Sequence, residues 1–194
     1  MKPENDPDVQ LMLALQQGDL AAFDELFRKH FAGVVRFATR FVASRARAEE
    51  LAQDVFLRLY KTRASYEPRA RFKTWLFRMV NNACVSELRS ADRRRRARTP
   101  DGAGDPDAAL EAALPAAPSS ESEILGDETV AMLQRAVGDL PEQQRAALLL
   151  TRSEGLSYEE VADTLGCSVG AVKSLIHRAT TTLASRVRAA EEER

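Results

Sequence analysis

Two stretches of this 194-residue chain place cationic side chains where they could meet phosphate. In the first, Tyr66, Phe72, Trp75 and Phe77 are interleaved with Arg69, Arg71, Lys73 and Arg78. Rings offer planes for unstacked bases and cations offer charge for the backbone, the two requirements of single-stranded nucleic acid. The same rings could instead be a concentrated piece of hydrophobic core, the favoured reading for Phe72 and an open one for Trp75. Further on, Arg89, Arg93, Arg94, Arg95, Arg96 and Arg98 form a basic run, either solvated or tracking phosphate. In the second stretch, Val169 to Arg178, helical spacing points Lys173, Ser174, His177 and Arg178 to solvent, with Val169, Val172, Leu175 and Ile176 inward or toward a groove wall. Between Lys173 and Arg188 there are four basic residues and no acidic one. Phosphate neutralisation would supply affinity there, and Lys173 or Arg178 could donate to guanine edges. The plain alternative is a solvated helix face.

Other chemistries lack their residues. The sequence has no phosphate-binding glycine loop, no dinucleotide-binding glycine signature and no HExxH zinc motif. His30 and His177 are the only imidazoles, and His177 reads as a contact or surface residue rather than a ligand. Glu49–Glu50 and Glu159–Glu160 are adjacent on expected helices, so they diverge. Cys84 and Cys167 have no disulfide or zinc spacing, and packing accounts for both. The expectation is a non-enzyme without cofactor or metal. The formal net charge of −1 hides an asymmetry. Residues 1–98 carry 20 Lys/Arg against 12 Asp/Glu, and residues 99–194 carry 8 against 17. Screening keeps fields local, so the first half can meet phosphate whatever the total.

The elements that must hold these residues are helical, since no segment alternates in the manner of a strand. The expectation is an all-α chain of two small helical domains, residues 8–96 and 123–188, joined by a flexible acidic linker over 97–122. That linker is rich in Pro, Ala, Gly, Asp and Ser and cannot bury enough apolar surface to offset its ordering entropy. In the first domain, residues 8–17 form a short helix ended by Gly18. Asp19 caps a helix from Leu20 to about Val42, Ser44 caps residues 45–62, Pro68 interrupts, and a fourth helix runs from Phe72 to about Arg93. In the second, helices cover about 124–138 and 142–153. Ser157 and Glu160 then form a capping box for residues 157–165, Gly166 ends that helix, and Ser168 caps the next. Helix, glycine turn and helix make a helix-turn-helix, whose second helix enters the major groove. No apolar run reaches the roughly 20 residues of a membrane span, and the N-terminus is polar and acidic without a signal-peptide core. A cytoplasmic protein without membrane insertion is expected.

The runs AEELAQDVFLRLYKT (48–62) and FKTWLFRMVNNACVSELRS (72–90) resemble region 2 of extracytoplasmic-function (ECF) sigma factors of RNA polymerase. The run LPEQQRAALLLTRSEGLSYEEVADTLGCSVGAVKSLIHRA (140–179) resembles their region 4. The two blocks stand in the family's order on either side of a linker, and the resemblance covers nearly the whole chain. It implies that Gln53, Asp54, Phe56 and Leu57 dock on core RNA polymerase. It implies that the helix from Phe72 recognises and opens the promoter −10 element, with Lys73, Trp75, Arg78, Asn81, Asn82, Ser86, Arg89 and Arg93 on DNA. Asn82 is the better match for the amide that holds an extruded base. The helix from Val169 would read the −35 element as duplex through Ser168, Lys173, Ser174, His177 and Arg178. Family members often carry more arginine in this helix; Leu175 and Thr180 stand where basic residues are common. The linker would thread channels of the polymerase, or serve as a tether. An anti-sigma partner is expected on resemblance alone. The alternative is a free-standing helix-turn-helix regulator that binds its operator without polymerase and has no use for Asn82.

Overall fold

The computed structural model describes residues 5–42, 44–98 and 127–192. Those residues form eight α-helices: α1 Pro7–Gln16, α2 Leu20–Ala38, α3 Arg45–Thr62, α4 Phe72–Arg98, α5 Asp127–Gly138, α6 Glu142–Arg152, α7 Tyr158–Leu165 and α8 Val169–Glu192. A 3-10 turn, Arg63–Ser65, follows α3. Residues 99–122 of the expected linker, and the expected start of α5 at 124, lie outside the described residues.

Local chemistry sets most boundaries. The Asp6 side chain accepts from the Asp8 N–H and Pro7 occupies the first turn, so α1 starts there. Gly18 at φ 102° turns the chain toward α2. Asp19 caps α2 and Ser44 caps α3 through side-chain oxygens, as expected. The expectation fails at the end of α2, which stops at Ala38 rather than Val42. The Arg40 and Phe41 N–H groups bond three residues back, to the Phe37 and Ala38 carbonyls. This tighter winding stacks Phe41 on Phe37 with ring centroids 5.0 Å apart. At the other extreme, α4 runs to Arg98, past the expected Arg93.

Helices α1 to α4 enclose a core that includes Met12, Leu15, Leu26, Val34, Phe56, Leu59, Phe72, Leu76 and Phe77. The Gln16 amide donates to the Ala64 and Tyr66 carbonyls, at 3.0 and 3.3 Å, and so fastens α1 to the turn that leads into α4. In the second module, α6, α7 and α8 pack on one another, with Leu150, Leu156, Val161, Val172 and Ile176 buried. Leu140, Leu148 and Ala179 form a small separate cluster. The capping box at Ser157 is complete, and Gly166 ends α7 in the left-handed region at φ 67°. The two modules touch, α4 against α7 and α6, and their apolar interiors are continuous. Among the described residues no helix is long and apolar enough to cross a membrane.

Candidate nucleic-acid interface

Helix α4 presents a line of side chains at three- and four-residue spacing: Trp75, Arg78, Asn82, Ser86, Arg89 and Arg93. At 1.5 Å per residue the line is about 27 Å long. Arg78, Asn82, Ser86, Arg89 and Arg93 are exposed. Trp75 is half-buried, edge-on to Tyr66 at 4.9 Å and tilted against Phe72 at 6.0 Å. Of the two adjacent amides, Asn82 faces solvent. Asn81 is only 8% exposed, and its Oδ1 has no partner. Asn82 is thus the amide open to solvent, and the Asn81 side chain is enclosed within the fold. The expected aromatic platform also shrinks. Tyr66 and Phe77 are buried core, and so is Phe72, as the sequence reading favoured, which leaves Trp75 as the ring with an open edge. The cause is packing: on α4, positions 72, 76, 77 and 80 face α1 to α3.

Beside Trp75 lies a cleft of about 480 Å³, lined by Ser65, Glu67, Arg69, Ala70, Thr74, Trp75, Arg78 and, from α7, Asp163. The Thr74 Oγ1 is buried there without a partner. The sequence pattern pointed to Arg69, Trp75 and Arg78 among these and not to Ser65, Glu67, Ala70, Thr74 or Asp163. The Pro68 break was the available signal, because it bends the 65–70 segment over the start of α4. Lys73 is not a free cation: its Nζ sits 3.1 Å from Glu154 Oε2. The C-terminal half of α4 is braced to α3 by Glu87, which binds Arg47 at 2.6 Å and Arg94 at 2.9 Å. These two guanidinium hydrogen bonds, Arg47 first, hold the Glu87 carboxyl below its ordinary value.

On α3, Gln53, Asp54 and Leu57 are exposed, and Leu57 at 54% is one of two large exposed apolar residues among those described. Phe56 departs from the expectation. It is 1% exposed and packs edge-on to Phe27 at 4.9 Å and Phe23 at 6.4 Å. It therefore packs beneath the exposed face of α3 rather than on it.

In the helix-turn-helix, Ser168 Oγ accepts the Ala171 N–H at 3.2 Å and starts α8. Val172 and Ile176 are buried, which rotates Lys173, Ser174, His177 and Arg178 outward together. Ser174 and Thr180 spend their hydroxyls on backbone carbonyls of α8, so Ser174 reaches outward mainly through its position.

Asp8, Lys29, His30 and Cys84 have structural employment. Asp8 binds His30 at 2.9 Å and Lys29 at 2.5 Å, tying α1 to α2. Burial lowers the His30 pKa, with Asp8 working against it. Cys84 is fully buried, and burial pushes its thiol up to about 12, so packing is its role. Among the described residues no cluster of His, Cys, Asp and Glu could hold a metal ion.

Known proteins share this arrangement. The family described as Sigma-70 region 2 matches residues 26–94, and that described as Sigma-70, region 4 matches residues 131–183. The RNA polymerase sigma-H factor of Pseudomonas aeruginosa is 35% identical over 89% of each chain. The ECF RNA polymerase sigma-E factor of Escherichia coli is 30% identical over 93% of this chain and 94% of that one. Among solved structures, CnrH in complex with the cytosolic domain of CnrY superposes with a TM-score of 0.69 at 25% identity, covering 95% of this chain and 99% of that one. The sigma factor RpoE with the anti-sigma factor NepR, from Bartonella quintana, has the same fold, with a TM-score of 0.70 at 23% identity over 86% of this chain and 96% of that one. Two helical modules in this order, with the matched regions on either side of the junction, make this chain a member of the ECF sigma factors of RNA polymerase.

Proposed function

We propose a division of labour within this sigma factor in which three exposed faces each meet one partner. Gln53, Asp54 and Leu57 of α3 dock on core polymerase; an exposed leucine flanked by polar side chains suits a helix-to-helix interface. The line Trp75, Arg78, Asn82, Ser86, Arg89 and Arg93 on α4 takes the −10 element as single strand. Asn82 binds the Watson–Crick edge of an extruded base, Trp75 stacks on a neighbour, and the arginines follow the phosphates. Extruding a base costs a few kcal/mol of stacking, which these contacts offset. Lys173, His177 and Arg178 of α8 meet the −35 duplex in the major groove, with Ser168 and Ser174 at its start.

The observation that carries this reading is the outward stripe on α4, with a lone exposed amide at its centre and a ring at its end. A regulator acting without polymerase has no need of it. The protein acts by binding, without a catalytic group of its own, and works in the cytoplasm, where polymerase is. Two structural neighbours were solved with partners, CnrH with the cytosolic domain of CnrY and RpoE with the anti-sigma factor NepR. By extension this chain is held by an anti-sigma protein of its own.

Run-off transcription with core polymerase tests the assignment. The wild-type chain directs initiation at a discrete start site, and N82A or W75A lowers open-complex yield without weakening polymerase binding. Undiminished open-complex formation by both variants defeats the −10 assignment.

A further inference from the structure

Trp75, the single tryptophan of the chain, is held by rings from two directions. Phe72, on the preceding turn of α4, is core and tilts against it at 6.0 Å. Tyr66 meets it edge-on from outside the helix, at 4.9 Å and 67°. Tyr66 belongs to the stretch between the 3-10 turn and α4, where Glu67, Pro68 and Arg69 are exposed. The backbone bonds of that stretch are local: the Tyr66 N–H donates to the Arg63 carbonyl and the Arg69 N–H to the Glu67 carbonyl. Helix α1 ties the stretch to the module at both ends. Gln16 Nε2 donates to the Ala64 carbonyl at 3.0 Å and to the Tyr66 carbonyl at 3.3 Å, which uses both hydrogens of the amide. At the far end the Phe72 N–H donates to Asp6 Oδ2 at 2.9 Å. The Tyr66 ring is buried and its hydroxyl makes no hydrogen bond, so the polar tie that reaches this residue from α1 is at its carbonyl.

We propose that Gln16 is a positioning residue for strand reading: by holding the Tyr66 carbonyl it fixes the Tyr66 ring, and that ring sets the plane of Trp75 before a base arrives. The inference rests on the assignment of Trp75 to a base of the −10 element. Gln16 acts through Tyr66 and does not itself meet DNA. A ring that is free to turn has to be ordered when it stacks, and that ordering weakens binding. A ring already wedged between Phe72 and a fastened Tyr66 avoids the loss. Freeing it is worth about fivefold in strand affinity, the scale of one side chain's rotamer freedom. Helix α1, which carries none of the strand-reading residues, thereby takes part in reading the promoter.

The test uses the full chain as Q16M, W75A and the double variant Q16M/W75A. Methionine keeps the length and packing of the glutamine but has no hydrogen to donate. With one tryptophan in the chain, intrinsic fluorescence of free Q16M reads the Trp75 ring alone. Its anisotropy is expected to fall and its quenching by acrylamide to rise. Holoenzyme assembled from core polymerase and Q16M is expected to bind a labelled single-stranded oligonucleotide carrying the −10 element about fivefold more weakly than wild type. Affinity for core polymerase and helix content by circular dichroism stay unchanged. In the W75A background Q16M has no further effect on strand binding, because the two residues act through one line of contacts. If Q16M loses helix, Q16A carries the same comparison. Unchanged quenching of Trp75 overturns the proposal, and so do Q16M and W75A penalties that add, the result a residue serving only the fold would give. Wild-type strand binding by W75A sinks the stacking assignment and the proposal with it. A weakened W75A beside an unaffected Q16M sinks the positioning role alone.

Discussion

Asp6 and Phe72 stand 66 residues apart in sequence, yet the Asp6 Oδ2 accepts the Phe72 N–H at 2.9 Å while its Oδ1 accepts that of Asp8 at 3.1 Å. One buried carboxylate thus caps the start of α1 and bonds the first N–H of α4. Asp6 to Ala removes both bonds. A lost cap costs about 1 kcal/mol, so D6A is expected to lower unfolding stability by about 2 kcal/mol in urea titrations. D6N, which keeps one acceptor oxygen and turns an NH2 toward the other N–H, is expected to lose about half of that. Equal losses would show that the charge, not the cap, matters.

Asn81 is buried and Asn82 exposed, so on the proposed assignment the two adjacent amides have separable effects. N82A removes an exposed side chain, so its melting temperature stays within about 1 °C while promoter opening falls by about 1–3 kcal/mol of base recognition, roughly 5- to 150-fold. N81A does the reverse: it leaves a cavity beside α4, costs about 1 kcal/mol of stability and changes opening little. Permanganate footprinting of the melted region and a thermal melt of each variant measure the two effects.

Leu57 and Phe56 make a second such pair on α3. L57A, at an exposed position, changes stability by less than about 0.5 kcal/mol and weakens binding to core polymerase. F56A empties the site shared by Phe23, Phe27 and Phe31 and costs about 3–5 kcal/mol. Competition for core polymerase against a labelled sigma factor reads the first, and denaturant unfolding the second.

His30 gives the fold a pH dependence with a definite sign. Burial lowers its pKa in the folded chain, with Lys29 and Lys73 adding to the effect and Asp8 opposing it. The unfolded chain therefore takes up the proton first, near the ordinary value of about 6.5. Stability is full above that pH and declines as pH falls from it toward the lower folded value. The urea midpoint is expected to drop between about pH 7 and pH 5, and H30Q should flatten the slope in that interval. An identical slope in H30Q would assign the dependence to the carboxylates.

The helix-turn-helix was legible because its signals are local: Ser157 and Glu160 fall three residues apart, Gly166 ends the helix, and the apolar spacing of Val172 and Ile176 fixes which side chains face out. The starts of α2 and α3 were legible for the same reason, through Asp19 and Ser44. Tyr66 and Phe77 were not. A ring beside an arginine looks the same whether it stacks on a base or fills a core, and only the approach of α1 to α3 decides. Phe56 hid in the same way, since α3 carries apolar residues on two neighbouring faces. The end of α2 was masked because Phe41 continues the helical spacing while bonding as a turn. The pairs Lys73–Glu154 and Arg71–Glu160 join residues 81 and 89 positions apart, beyond the reach of any spacing rule.

Glu160 carries a consequence for how the molecule can come apart. Its Oε2 accepts the Ser157 N–H at 2.8 Å and stays within its own helix, while Oε1 reaches Arg71. The two oxygens are independent, so letting go of the arginine leaves the helix start fastened. An R71A variant is therefore expected to leave the capping box, and the helix content read by circular dichroism, unchanged.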